Sequence, residues 1–202
     1  MLKKSITSFA LASLASLTPL GAEEKGTYFV GSIGAGQMAD IDIAASLGGG
    51  DFEFDPGFSG EFGIGYDFGK FRTEFTYNGT NTDLTTVQGF VTDIGVDVST
   101  WMISGAYDWR ADKKWQPYLS AGIGQSTIKV DLARTVGSVA VVVDDDNITS
   151  VKIKAGVNYE ATEDVDIYGE VWSQAFDDFT IGTLEFEDCG MTGVSFGFRY
   201  KL

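Results

Sequence analysis

The last ten residues alternate without a slip. Val194, Phe196, Phe198, Tyr200 and Leu202 fall on one face, and Ser195, Gly197, Arg199 and Lys201 fall on the other. A period of two is a β-strand with one apolar and one small or cationic face. The same pattern recurs upstream. From Phe58 to Phe68, Phe58, Gly60, Phe62, Ile64, Tyr66 and Phe68 alternate with Ser59, Glu61, Gly63, Gly65 and Asp67. Gly69-Lys70 then reads as a two-residue hairpin turn with glycine first. The returning strand, Phe71 to Tyr77, would set Phe71, Thr73, Phe75 and Tyr77 opposite Phe68, Tyr66, Ile64 and Phe62, and Asp67 opposite Arg72.

Five further strands follow from the same test: Gly26 to Gly36, about Thr100 to Trp109, Trp115 to Ile123, Val151 to Tyr159, and Val165 to about Ala175. For the turn at 161–163, the reading sets Tyr159 opposite Val165 and Lys154 opposite Glu170. A register shifted by two would keep the faces and lose that ion pair. Val96 and Val98 share one parity while Trp101, Ile103, Tyr107 and Trp109 share the other, which places a bulge or a strand start near Ser99. Eight strands result, joined by connections that alternate long and short. The long ones cover about 37–57, 78–98, 129–147 and 176–190.

That asymmetry, with strands of about 9 to 11 residues, describes an eight-stranded antiparallel up-and-down transmembrane β-barrel with short periplasmic turns and four long external loops. In lipid no strand edge can stay unpaired, so the sheet must close. Aromatics gather at the short-turn ends as an expected interfacial girdle of Phe68, Phe71, Trp109, Trp115 and Tyr159, with Tyr200. The other face carries Glu61, Asp67, Arg72, Glu74, Lys152, Lys154, Glu170, Arg199 and Lys201. Both signs in so narrow a lumen are expected to pair and plug it.

Composition sharpens this. The 202 residues carry a formal charge of −15 and no histidine, which argues against nucleic acid. Residues 1–22 read as a secretory signal: Lys3 and Lys4, an apolar segment from Ile6 to Leu20, and a small-residue cleavage site at Gly21-Ala22. Residues 23–202 would be the barrel, with 12 basic and 29 acidic residues and a formal charge of −17. Cys189 is the single cysteine and so forms no internal disulfide. It reads as a loop or strand-end thiol. Asp144, Asp145 and Asp146 follow a β-prone valine run and match no calcium-loop spacing, so they read as solvated gatekeepers. No metal and no cofactor is expected.

The closing strand, and glycine-aromatic segments such as Pro117-Tyr118-Leu119-Ser120-Ala121-Gly122-Ile123-Gly124, resemble the small eight-stranded bacterial outer-membrane barrels typified by the membrane domain of outer membrane protein A and by outer membrane protein X. The resemblance covers the chain after residue 22. It implies the outer membrane of a Gram-negative-type bacterium. It also implies outer-membrane lipid and the barrel assembly machinery as partners, the latter recognising Phe196, Phe198, Tyr200 and Leu202. The family usually ends in Phe, where this chain has Leu202. No peptidoglycan-binding module is expected after it.

Three functions compete. The first is a non-enzymatic surface barrel with a structural or adhesion role, displaying acidic loops to an extracellular or host partner. A small ion-conducting, porin-like channel is the alternative use of the same fold. A soluble periplasmic β-barrel would instead turn the aromatic face inward around an apolar ligand. An enzyme is not expected, because relatives with hydrolytic sites rely on a general base for which histidine is the usual choice.

Overall fold

Twelve strands appear in a computed structural model, which describes residues 25–39, 41–42, 51–87, 90–109, 113–131, 142–177, 179–181, 184–186 and 189–202. They are β1 (Gly26–Met38), β2 (Ile41–Asp42), β3 (Asp51–Asp55), β4 (Gly57–Asp67), β5 (Phe71–Val87) and β6 (Phe90–Asp108), followed by β7 (Trp115–Asp131), β8 (Val142–Glu160), β9 (Val165–Phe176), β10 (Phe179–Ile181), β11 (Leu184–Phe186) and β12 (Gly190–Lys201). Eight of them close a ring. β1 pairs with both β4 and β12, and the path runs β4, β5, β6, β7, β8, β9 and back to β12, every neighbour antiparallel. The first and last strands join over Tyr28↔Lys201 to Met38↔Met191. No edge is left in the wall of the ring.

Alternation sorts side chains to the two sides of this wall. Phe196, Phe198, Tyr200 and Leu202 face outward, with Phe196 72% exposed, as do Ile33, Phe62, Ile64, Phe75, Ile103, Leu119, Ile153 and Val171. Glu61, Arg72, Glu74, Lys152, Lys154, Glu170 and Arg199 face inward and are buried. An apolar exterior around a charged interior suits lipid and is opposite to a soluble barrel. The soluble alternative, with aromatics inside, is therefore overturned.

Along β6 and β7 this polarity reverses once. On β6, and at Trp109 just past its end, the outward residues are Trp109, Tyr107, Ile103 and Trp101, then Ser99 and Asp97. The inward ones are Asp108, Ala106, Ser104, Met102 and Thr100, then Val98 and Val96. On β7 the exterior passes from Leu119 and Ile123 to Gln125 and Lys129, as the interior passes from Ser120 and Ser126 to Ile128. The strands thus outrun the bilayer. β5 and β6, at 17 and 19 residues, exceed the 9 to 11 that a crossing needs. Beyond the lipid the wall becomes an aqueous barrel with an apolar core, containing Met38, Phe54, Val96, Val98, Ile128, Ile148, Phe176, Cys189 and Met191.

Several expectations change accordingly. Residues 78–98 hold no long loop: β5 and β6 stay paired from Phe71↔Tyr107 to Val87↔Phe90. No bulge lies at Ser99. Val96 and Val98 keep the strand's parity and simply point inward, and the irregularity falls between Leu84 and Thr86. In the first connection β1 runs on to Met38, and β3 lies along β5 from Phe52↔Val87 to Asp55↔Asp83. In the third, β7 reaches Asp131 and β8 starts at Val142, so Asp144, Asp145 and Asp146 have strand backbone, while their side chains lie outside the described residues. The fourth contains the β10–β11 hairpin. Cys189 stands at a strand end, immediately before β12, and its side chain is buried in the apolar cluster.

Register agrees in one hairpin and shifts in another. At the β4–β5 turn, Phe62↔Tyr77, Ile64↔Phe75, Tyr66↔Thr73 and Asp67↔Arg72 all pair as read from the sequence. Gly69 has φ 100°, a conformation only glycine adopts easily, and the Phe68 N–H donates to the Phe71 carbonyl at 2.8 Å. At the β8–β9 turn the register shifted by two is the one formed, with Tyr159↔Ile167 and Lys154↔Trp172. The Ala161 and Thr162 N–H groups both donate to the Val165 carbonyl, at 2.9 and 3.0 Å, and the Val165 N–H donates to the Thr162 hydroxyl at 3.0 Å. These bonds fix a longer turn than three residues. The Lys154–Glu170 ion pair survives diagonally at 3.4 Å.

Candidate functional site: the barrel lumen

The inward positions form layers. At the periplasmic mouth Lys201 lies 3.5 Å from Asp166. Asp67 is half-buried there, and Lys201 is the least buried cation of the set. Above them Arg72 is bidentate on Asp108, Nε at 2.6 Å and Nη2 at 2.8 Å. Arg72 Nη1 and Arg199 Nε both reach Glu74 Oε1, at 3.3 and 3.2 Å, and the Tyr28 hydroxyl donates to the same oxygen at 2.7 Å. Arg199 Nη1 donates to Asn158 Oδ1 at 2.8 Å. In the next layer Lys154 Nζ contacts Glu61 at 2.5 Å and Glu170 at 3.4 Å, Lys152 Nζ stands 3.8 Å from Glu61, and the Tyr118 hydroxyl donates to Glu170 at 2.6 Å.

Aromatic rings fill the space between these groups. The Arg199 guanidinium lies 4.1 Å from the Tyr168 ring centre and 5.1 Å from that of Tyr118, and Lys152 Nζ lies 4.4 Å from the Trp172 ring. Each ring covers a glycine directly across a strand pair: Tyr28 on Gly65, Tyr118 on Gly156, Tyr168 on Gly197 and Trp172 on Gly193. A Cβ at any of the four would collide with the ring. Small and large residues thus interlock to fill a lumen of eight strands.

Higher still the lumen is uncharged and hydrogen-bonded. Ser126 Oγ lies 2.8 Å from Thr100 Oγ1 and donates to Ser150 Oγ at 2.9 Å, Gln174 Nε2 donates to Thr100 Oγ1 at 3.1 Å, and Trp172 Nε1 donates to Ser195 Oγ at 3.0 Å. The apolar cluster of the aqueous extension covers this layer. Among the described residues, the buried charges are the carboxylates of Glu61, Glu74, Asp108, Asp166 and Glu170 and the cations Arg72, Lys152, Lys154 and Arg199. At the mouth the half-buried Lys201 adds a fifth positive charge, paired with Asp166, and the half-buried Asp67 a sixth acid. Pairing of opposite charges relieves the cost of holding ions in a low-dielectric interior.

Of the nine lumen residues picked from sequence, seven meet in this buried network, and Asp67 and Lys201 sit at its mouth. Although Asp67 is opposite Arg72 in register, the guanidinium turns to Asp108 and Glu74. Asp108 and Asp166 were missed, as were Tyr28, Tyr118, Tyr168, Trp172 and Asn158. Parity could have found the two acids, since Asp108 falls between Tyr107 and Trp109 and Asp166 between Val165 and Ile167. Parity likewise groups Tyr168 with Asp166 and Glu170 and Tyr118 with Ser120, whereas Tyr28 lies in a strand whose alternation leaves its facing ambiguous.

Outside, the girdle residues Phe68, Phe71, Trp109 and Trp115 are exposed, and Tyr159 packs on Trp115 with ring centres 4.7 Å apart. Phe71, Tyr107 and Trp109 form a chain at 5.0 and 5.2 Å. A second aromatic group lies toward the other interface, where Trp101 stacks on Phe75 at 5.4 Å and tilts on Tyr77 at 4.8 Å.

The sequence model of the family described as outer membrane protein beta-barrel domain matches residues 7–201. Among solved structures, the chain is similar to Neisserial surface protein A, with 19% identity and a TM-score of 0.65 over 89% of this chain and all of that one. It is similar also to OprG from Pseudomonas aeruginosa, with 14% identity and a TM-score of 0.58 over 88% of this chain and 97% of that one. At these identities the likeness is one of fold. No curated protein matches the chain.

Proposed function

Since the chain belongs to the outer membrane protein beta-barrel domain family and resides in the outer membrane, we propose that it is a non-enzymatic surface barrel whose lumen is closed. Its role is to hold external segments on a rigid wall, for structural purposes or for adhesion. One observation carries this reading: the interior is occupied in succession by a paired charge network, a hydroxyl layer and an apolar core. An ion crossing it would have to break the Arg72–Asp108 and Lys154–Glu61 pairs and then shed its water among Val96, Val98, Ile128 and Phe176. Both steps are costly.

The lumen carboxylates are engaged by cations and tyrosine hydroxyls, an arrangement suited to stability more than to acid-base chemistry. Without histidine the chain also lacks the usual general base. External segments on a fixed scaffold are the natural place for recognition. Their acidic composition favours a basic or cation-bridged extracellular or host partner. Residues 1–22 are proposed as the export signal, and Phe196, Phe198, Tyr200 and Leu202, all outward on β12, as the face read by the barrel assembly machinery.

Reconstitution into planar bilayers tests the central claim. The folded barrel is expected to give no stable conductance steps at neutral pH and moderate voltage. Reproducible ohmic steps from the purified protein would establish the porin-like alternative instead.

A further inference from the structure

The lipid-facing wall carries a groove beside two glycines. It measures about 570 Å³ and crosses β1, β4, β5 and β6 at the upper margin of the apolar belt. Its line follows the register Ile33↔Gly60↔Gly79↔Ser99. Below it stand Phe62 and Tyr77, with ring centres 5.6 Å apart, and above it Phe58. Its far end, where Asn81 pairs with Asp97 beside Ser99, is polar.

Gly65, Gly156, Gly193 and Gly197 have rings against them in the lumen. At Gly79, as at lipid-facing Gly105, a Cβ would meet nothing closer than 4 Å, and at Gly60 it would make only ordinary contact with Phe58 at 3.5 Å; of these three, Gly60 and Gly79 line the groove. Neither has the positive φ that Gly69 shows. Neither internal packing nor backbone conformation therefore calls for glycine at 79. The groove is continuous with the lipid-facing belt, so hydrocarbon is the medium against it, and a void there forfeits contacts on both sides.

We propose that this groove seats one acyl chain of an outer-leaflet lipid, which lies obliquely across the four strands. The chain's methylenes pack on Ile33, Phe58, Phe62 and Tyr77. Its head-group end, where hydroxyl or ester oxygens begin, meets the side chains of Asn81 and Ser99. Such a lipid is held at one place on the wall, unlike the exchanging lipids around it.

The test uses the whole barrel reconstituted with outer-membrane lipid and released into the gas phase for native mass spectrometry. Gly79→Leu fills the groove. Gly105→Leu, at a lipid-facing position where the nearest atom to a Cβ is 4.0 Å away, adds the same bulk elsewhere. The wild type and Gly105→Leu are expected to retain one lipid, and Gly79→Leu to bind it roughly tenfold more weakly, as displacing about two methylenes implies. A Gly60→Leu variant gives the same reading should Gly79→Leu fail the unboiled gel-mobility check for folding. Equal retention in all variants, or equal loss at position 105, would overturn the proposal. In a barrel carrying Trp109→Phe and Trp115→Phe, so that Trp101 is the lipid-exposed tryptophan among the described residues, brominated phospholipid should quench it at low mole fraction and then saturate. Quenching that rises in simple proportion to bromolipid content would also overturn it.

Discussion

Arg72 shows most directly how one residue can hold this interior. It binds Asp108 through two nitrogens and shares Glu74 with Arg199. Arg72→Met would leave Asp108 as an uncompensated buried charge. A loss of about 3–5 kcal/mol is expected, the usual consequence of breaking a buried pair from one side. Urea unfolding in lipid vesicles reads it, and in the Arg72→Met/Asp108→Asn double variant a good part of the loss should return. Glycine has equally local consequences. A Cβ at Gly156 would come within 2.6 Å of the Gly169 carbonyl and 2.7 Å of the Tyr118 ring, so Gly156→Val should prevent closure of the β7–β8–β9 wall, whereas Gly105→Val should fold. Gel mobility of the unboiled proteins separates the two. At the turn, Gly69→Ala would place a Cβ at φ 100°, and about 1 kcal/mol of stability should go with it.

At the scale of the strand, the important feature is the reversal of polarity at the outer membrane surface. β6 is apolar-out from Trp109 to Trp101 and apolar-in from Val98 to Val96, with no break in its pairing. One hydrogen-bonded ribbon therefore serves two solvents. The two halves should respond differently to the same insult. Ile128→Asp buries a charge in the apolar core of the extension, and should open residues 84–98 to protease from outside the cell while the membrane part keeps its unboiled mobility. Ile103→Arg on the lipid face should instead lower the stability of the transmembrane barrel, by up to about 2–4 kcal/mol, the cost of a cation at the bilayer midplane. If Ile128→Asp abolished the barrel altogether, the two parts would be a single cooperative unit.

For the molecule as a whole, closure is what makes these parts cohere. Eight strands leave an interior that side chains can fill, and the β1–β12 seam, from Tyr28↔Lys201 to Met38↔Met191, removes the remaining edges. A barrel so closed should resist SDS until heated. The membrane-extracted protein is expected to run faster unboiled than boiled. Identical mobility in the two states would show that the ring is not closed in the membrane.

Short-range chemistry was legible in the chain itself. Alternation set strand existence and facing, glycine at 69 set the tight hairpin, and nine of the charged residues on the inward face were readable because parity in a strand is local. Three things had to wait for the tertiary structure. The choice between two registers at the β8–β9 turn depended on hydrogen bonds within residues 161–165, since both registers satisfy the same faces. The inward placement of Tyr28, and the room for the rings of Tyr28, Tyr118 and Tyr168, depended on glycines brought opposite them by strands whose pairing only closure determines. The extension beyond the bilayer depended on where the lipid ends: Val96 and Val98 signalled a change of parity in the sequence, but only a wall that continues into water gives that change its meaning, because burial there requires apolar side chains to turn inward.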